Sequence, residues 1–256
     1  MTTIHRIAAF SDNYIWALVN DRAKTCALVD PGDAQPAIDF ITAHDLNLTH
    51  LLITHHHRDH TGGISTLKAR YGCHVIGPNN PNISGIDEVV GESDTIKLSA
   101  LECEFRVMEV PGHTLDHIAF YQDGRLFCGD TLFAGGCGRL FEGTPKQMWR
   151  SLQKLAALPD ETAIYCAHEY TAANLDFALA VEPNNPELKQ RVAKVTAARQ
   201  QQQATVPSHL AQERATNPFL RADQDSVKLA AETFCQQPLS THEEVFGCIR
   251  QWKDNF

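Results

Sequence analysis

No stretch of this sequence stays apolar for the about 20 residues that cross a bilayer as a helix, so no membrane partner is expected. The opening run Met1-Thr2-Thr3-Ile4-His5-Arg6 has neither the basic flank nor the apolar centre of a secretory signal, and the expected location is the cytoplasm. Close cysteine pairs are missing too. The eight cysteines stand at 26, 73, 103, 128, 137, 166, 235 and 248, with no C-x-x-C among them. That spacing argues against a thiolate zinc site and against a redox pair, and the expectation is buried free thiols. Basic charge is scarce: 22 Lys+Arg face 31 Asp+Glu, a net charge of −9. A chain this acidic is not expected to bind nucleic acid. The deficit is local, with 13 Lys+Arg against 21 Asp+Glu over residues 1–170 and 9 against 10 beyond. The first region suits bound cations, and an anionic substrate would need a cationic patch of its own. There is no internal repeat.

What is present is enough chain for a sizeable core, as one large domain or two small ones. Short β-leaning runs at 4–9, 14–19 and 25–29 are parted by Ser11-Asp12-Asn13 and Asn20-Asp21. Helical spacing follows at 36–44 and 64–71. Strands are expected at 50–53, 103–110, 118–121, 126–128 and, last, 163–166. Pro145 sits at the favoured first position of a helix running to about Leu158. Beyond Thr171 the pattern turns helical, at 187–203, 225–234 and 242–252, the last with Val245, Phe246, Ile249 and Trp252 on one face. Pro183-Asn184-Asn185-Pro186 is the best candidate boundary by composition. The expectation is an α/β chain with a strand-rich domain over residues 1–170 and a helical domain over residues 171–256.

The most informative run is Thr54-His55-His56-His57-Arg58-Asp59-His60, behind the apolar Leu51-Leu52-Ile53. Imidazole and carboxylate are the ligands of zinc and similar divalent ions. His55 and His57 lie two apart, so in extended chain they point the same way and can reach one ion. Asp59 and His60 fall where Thr61-Gly62-Gly63 turns the chain, and aim elsewhere, at a second ion. Three more ligand-type side chains follow apolar strands: His113 after Pro111-Gly112, Asp130 after Cys128-Gly129, and His168 after Cys166-Ala167. Taken singly, His113 and His168 would read as surface or hydrogen-bonding residues. As a set, the seven fit two ions with three ligands each and one shared carboxylate. Each ion then keeps an open position for water, which marks a catalytic site rather than a structural one.

These motifs resemble those of the metallo-β-lactamase superfamily. More narrowly, Thr54–Gly63, Gly129-Asp130-Thr131-Leu132-Phe133, Gly136-Cys137-Gly138-Arg139 and Cys166-Ala167-His168-Glu169-Tyr170-Thr171 are similar to hydroxyacylglutathione hydrolases, the glyoxalase II family. The resemblance continues through Asn217-Pro218-Phe219-Leu220-Arg221 and Arg250-x-x-Lys253-Asp254, and so covers nearly the whole chain. It implies an αββα metallo-β-lactamase-type sandwich followed by a C-terminal helical domain that binds substrate, in a monomer. It implies two divalent metal ions, zinc first, with iron or manganese also accepted. His55, His57 and His113 would hold one, Asp59, His60 and His168 the other, and Asp130 would bridge. The implied reaction is hydrolysis of S-(2-hydroxyacyl)glutathione thioesters such as S-lactoylglutathione by a hydroxide shared between the ions, the second step of methylglyoxal detoxification. Asp59 would orient the nucleophile as well as bind metal. Arg139, Arg250 and Lys253 would hold the glycine end of this small-molecule substrate, with Tyr170 adding a hydroxyl.

Two positions depart from the family pattern. Phe141 stands where some relatives carry a tyrosine that helps bind glutathione, so one hydroxyl contact is absent. Asp116 stands where relatives often carry glycine after P-G-H-T-x, and Asp tolerates positive φ better than most residues. His56 should face away from the ligands. Asp30 shapes a turn or supports the ligands from behind. His117 and Asp12-Asn13-Tyr14 are given no chemistry. Rivals on the same scaffold are a lactonase or β-lactamase, a one-iron persulfide dioxygenase and a di-iron electron-transfer oxidoreductase, the last typically with Glu where His57 stands. A metal-binding protein without activity is a rival of another class. The Arg250-x-x-Lys253 tail argues against the first. Metal content and oxygen uptake separate the second, and seven ligands with a separate glutathione-type patch weigh against the last.

Overall fold

The structure is a computed structural model that describes residues 2–256. They divide into two compact units, residues 2–109 with 116–129, and residues 110–115 with 130–256.

The first unit carries a six-stranded sheet of β1 (Thr3–Ala9), β2 (Asn13–Asn20), β3 (Thr25–Val29), β4 (Asn47–Leu52), β5 (His74–Gly77) and β6 (Glu88–Val89), in that order. The first three strands pair antiparallel through short turns. From β3 to β6 the pairing is parallel, which demands crossovers. Helix α1 (Ala34–Ala43) makes the first, and α2 (Arg58–Thr61) with α3 (Ile64–Tyr71) the second. Ile7, Ile15, Leu28, Leu51 and Val75 share one core with Ala37, Ile41, Ile64 and Leu67 of the helices. Burial along all of β2 matches a sheet covered on both faces. Four antiparallel strands follow: β7 (Thr95–Leu98), β8 (Cys103–Glu109), β9 (Ile118–Gln122) and β10 (Arg125–Gly129). Because β3 and β4 run parallel, with Val29 opposite Leu52, Asp30 and the histidine run leave the sheet at the same edge.

The second unit holds the small hairpin β11 (Leu132–Phe133) and β12 (Gly136–Cys137), helix α4 (Pro145–Ala156), and strand β13 (Ala163–Cys166). Helices α5 (Thr171–Val181) and α6 (Pro186–Gln200) come next, then β14 (Ser208–His209), α7 (Leu210–Thr216), α8 (Asp225–Cys235) and α9 (His242–Asp254). Local chemistry sets the helix starts. Thr144 and Thr241 form reciprocal capping boxes with Gln147 and Glu244, and Asn185 caps α6 ahead of Pro186. The Asn217-Pro218-Phe219 motif anchors the helical tail to the hairpin: Asn217 Nδ2 donates to Gly136 O at 2.9 Å, and Phe219 packs on Phe177 and Phe246. Among the described residues no helix is long and apolar enough to cross a membrane.

Three expectations need correction. Cys235 and Cys248 are joined in a disulfide between α8 and α9, so only Cys26, Cys73, Cys103, Cys128, Cys137 and Cys166 are buried free thiols. The pair stands 13 positions apart in sequence, and only the packing of two helices brings them together, which no short-range motif signals. The strand at 163–166 is not the last, since β14 pairs with it antiparallel. The short strands β5, β6 and β7 went unanticipated, being too brief for a period to show.

Candidate metal centre

In the first unit the ligand-type residues are organised by one buried carboxylate. Asp30, just past β3, has φ +51° and is 4% exposed. Its Oδ1 accepts from Thr54 N at 2.8 Å, and its Oδ2 accepts from Thr54 Oγ1 at 2.7 Å and lies 3.1 Å from His60 Nδ1. Those contacts fix two tautomers. His60 donates its Nδ1–H to Asp30, so Nε2 keeps its lone pair. Thr54 spends its proton on Asp30, so at 3.0 Å it accepts the Nδ1–H of His55, leaving Nε2 of that ring as the ligand-type nitrogen too. The His55 ring is fully buried, 4.1 Å from His60 and 4.8 Å from His57, and His117 stacks on it at 4.5 Å. The short helix α2 starts after His57 and carries Asp59 and His60. Asp59 accepts from Asn13 Nδ2 at 2.9 Å and sits 3.4 Å from His60 Nε2. Gly32 makes the close approach possible: a Cβ there would lie 1.7 Å from the Asp59 carbonyl oxygen.

In the second unit three ligand-type residues from separate segments converge. His113 Nδ1 donates to Arg139 O at 2.8 Å, which again leaves Nε2 as acceptor. That Nε2 lies 3.4 Å from Asp130 Oδ2, while His168 Nε2 lies 3.4 Å from the other oxygen, Oδ1. All three side chains are nearly buried, at 4–6% exposure. Gly138 allows this: a Cβ would stand 2.0 Å from Asp130 O and 2.9 Å from His113 Nδ1. Phe141 packs edge-on against His113, and Tyr170 stacks on His168 at 4.7 Å.

The spacing is what fits a metal. Three imidazole–carboxylate pairs, one in the first unit and two in the second, sit at 3.4 Å, beyond the usual N–H···O range of about 2.7–3.2 Å. A tetrahedral ion with bonds of about 2.0–2.1 Å sets neighbouring donors about 3.3–3.4 Å apart. The donor set is nitrogen and carboxylate oxygen, which suits zinc, iron or manganese. Burial pushes the Cys137 thiol up to about 11 and Cys166 to about 12, so neither neighbour is a thiolate.

Arg139 and Arg250 meet on Asp254 within the second unit, with Lys253 on the same helix as Arg250. Arg250, 5% exposed, donates from Nη1 to Cys137 O at 3.0 Å and from Nη2 to Asp254 Oδ1 at 2.9 Å. Arg139 Nε lies 3.4 Å from the same Asp254 oxygen. Lys253 donates to Ala173 O at 3.0 Å and sits over the Phe177 and Phe256 rings. Burial, then the Arg250 cation, lowers its pKa.

Residues 12–168 match the model of the metallo-beta-lactamase superfamily, and residues 169–256 match that of the hydroxyacylglutathione hydrolase C-terminus. A hydroxyacylglutathione hydrolase of Alkalilimnicola ehrlichii is 52% identical over 254 residues, covering 99% of each chain. The chain belongs to the hydroxyacylglutathione hydrolase family. Another of that name, from Pseudomonas aeruginosa, is 49% identical over the full length of both. The crystal structure of ETHE1 from Myxococcus xanthus superposes with a TM-score of 0.69 at 23% identity, over 98% of this chain and 91% of that one. At that identity the likeness is one of fold. The fold of this hydroxyacylglutathione hydrolase family member is thus the metallo-β-lactamase fold followed by a C-terminal helical domain, and its His/Asp groups support binding of divalent metal.

Sequence reasoning missed some supports of the site. Asn13, given no chemistry, holds Asp59. Asp30, left between two roles, is the hub of the first cluster. His117 is buried against His55. Asp116 does not occupy the left-handed region; its carboxylate instead joins His56 Nδ1 at 2.9 Å to Asn80 Nδ2 at 2.8 Å, holding His56 apart from the ligand-type nitrogens.

Proposed function

We propose that the chain hydrolyses S-(2-hydroxyacyl)glutathione thioesters, S-lactoylglutathione among them, to glutathione and a 2-hydroxy acid. For S-lactoylglutathione the acid is lactate, and the step is the second of methylglyoxal detoxification, carried out in the cytoplasm by a monomer. The observation that carries this reading is the full-length identity of about half to hydroxyacylglutathione hydrolases, helical tail included. Residues 1–170 act as the metal-binding domain and residues 171–256 as the substrate-binding domain.

His55, His57 and His113 would hold one ion in this reading, and Asp59, His60 and His168 the other. Asp130 would serve both, a role supported by its two oxygens facing different imidazoles. Zinc is the first choice of metal. When bound, such ions make water acidic enough to yield hydroxide near neutral pH and polarise a carbonyl oxygen. The chain's own residues do the rest. Asp30 and Thr54 hold His60 and His55 in their tautomers, and Asn13 fixes one oxygen of Asp59 while the carboxylate orients the attacking oxygen. Arg139, Arg250 and Lys253 attract the glycine carboxylate of glutathione, and Tyr170 adds a hydroxyl contact. Phe141 presents a ring without a hydroxyl. The leaving group is a thiolate, so no strong general acid is required of the chain.

Elemental analysis and a thioester assay on one preparation test the reading. Two ions per chain with cleavage of S-lactoylglutathione are expected. One iron per chain, with oxygen uptake on glutathione persulfide and an intact thioester, would overturn it.

A further inference from the structure

The first unit has an open cleft of about 540 Å³ in which Asp59 is the one member of the ligand set. Gly32 and Gly62 lie there, and a Cβ on Gly62 would come within 2.6 Å of the Gly32 carbonyl oxygen. Main chain therefore packs on main chain at these two glycines. One wall is Phe10, 60% exposed and held at φ +50°. A bulky residue at positive φ is an outlier of the kind that clusters at functional sites. The other wall is Arg58, at the start of α2 and next in sequence to Asp59. Its guanidinium is in no hydrogen bond or ion pair among the described residues. The cleft's carboxylates are engaged: Asp33 accepts from Gln35 N at 3.0 Å, and Asp59 accepts from Asn13.

We infer that this cleft receives the acyl part of the substrate and that Arg58 selects acyl groups ending in a carboxylate. The inference rests on the thioester-hydrolase reading and extends it to the acyl side. The methylene stem of a dicarboxylic acyl group, such as hemisuccinyl or 2-hydroxyglutaryl, lies along the Phe10 ring. Its terminal carboxylate pairs with the planar fork of Arg58, a geometry that a guanidinium matches with two parallel bonds. Because Arg58 and Asp59 ride on the same short helical turn, the selector keeps a fixed distance from the reacting end. In so acidic a protein, a bare cation at this place is what lets an anionic acyl group approach.

The test compares kcat/KM for S-lactoylglutathione and S-hemisuccinylglutathione in metal-loaded wild type, Arg58→Gln and Phe10→Ala, with metal content measured for each. Arg58→Gln is expected to lower the hemisuccinyl value about tenfold, the loss of one charge-assisted contact, and to leave the lactoyl value within about twofold. About 0.5 M salt should bring the wild-type preference toward that of the variant. Phe10→Ala should likewise penalise the longer acyl group more. If wild type cleaves S-lactoylglutathione and Arg58→Gln changes both substrates equally, or neither, the inference fails alone. If wild type cleaves neither thioester, the hydrolase reading falls and this inference falls with it.

Discussion

The two units supply ligand-type residues in opposite ways. In the first, all four come from one run, His55 to His60, and the groups that orient them are side chains: Thr54 at the head of the run, and Asp30 and Asn13 from elsewhere. In the second, His113, Asp130 and His168 come from three distant segments, and the main chain does the orienting. His113 is held by the Arg139 carbonyl, and the approach to Asp130 depends on Gly138 having no side chain. A cluster contiguous in sequence needs remote polar supports to fix its rotamers. A cluster assembled from separate strand ends is already fixed by the backbone that brings it together. The first half can therefore be tuned by substituting supports, and the second mainly by disturbing main chain or ligand.

The largest test of this contrast is Asp130→Ala. It removes the oxygens that face both His113 and His168, and kcat/KM for the thioester should fall by about a thousandfold or more, with loss of bound metal. Full metal content together with full activity would break the account of the second half. Next is Asp30→Asn. The amide cannot accept from Thr54 N, Thr54 Oγ1 and His60 Nδ1 together, and metal affinity or activity should drop by about 10–100-fold. A chelator titration reads this directly. Its counterpart is Gly138→Ala, where a methyl 2.0 Å from Asp130 O must move backbone. Its loss should show in both activity and thermal stability, whereas Asp30→Asn acts first on metal.

The same contrast explains what the sequence made legible. His55, His57, Asp59 and His60 announce themselves because metal-ligand spacing within one run is a local signal. His113, Asp130 and His168 show only as polar residues after apolar strands, and their convergence is a property of the fold. Asp30 in Val29-Asp30-Pro31-Gly32 looks like a turn residue, and it is one, with φ +51°. Nothing in its neighbourhood tells that Thr54 and His60 lie against it, because that follows from the parallel pairing of β3 with β4. Helices α3 and α9 were legible from helical spacing, and α4 from Pro145 at its first position. The Cys235–Cys248 bridge was not, since it depends on how α8 meets α9.

Within the second unit, Arg250 and Lys253 sharpen the comparison between a residue proposed only to bind and one that also holds the fold. Both to alanine should raise KM for the thioester about tenfold, well beyond any change in kcat. Arg250 is nearly buried and clamps Cys137 O and Asp254, so Arg250→Ala should also lower Tm. Lys253→Ala should leave Tm nearly unchanged. Unchanged KM in both variants would remove the pair from the substrate patch.

The smallest effect is in the pH profile. Burial, then the cations of Arg250 and Arg139, holds the Lys253 pKa below its ordinary value of 10.5, with Asp176 and Asp254 acting the other way. The charged form exists below that lowered pKa, so attraction for a carboxylate is present below it and lost as pH rises through it. The inhibition constant of a non-hydrolysable S-alkylglutathione should therefore rise about two- to fivefold on the alkaline side, at a pH below 10.5. Lys253→Arg keeps its charge throughout and should flatten that rise. An alkaline limb identical in wild type and Lys253→Arg would mean that another group sets it, and that Lys253 touches no carboxylate of the ligand.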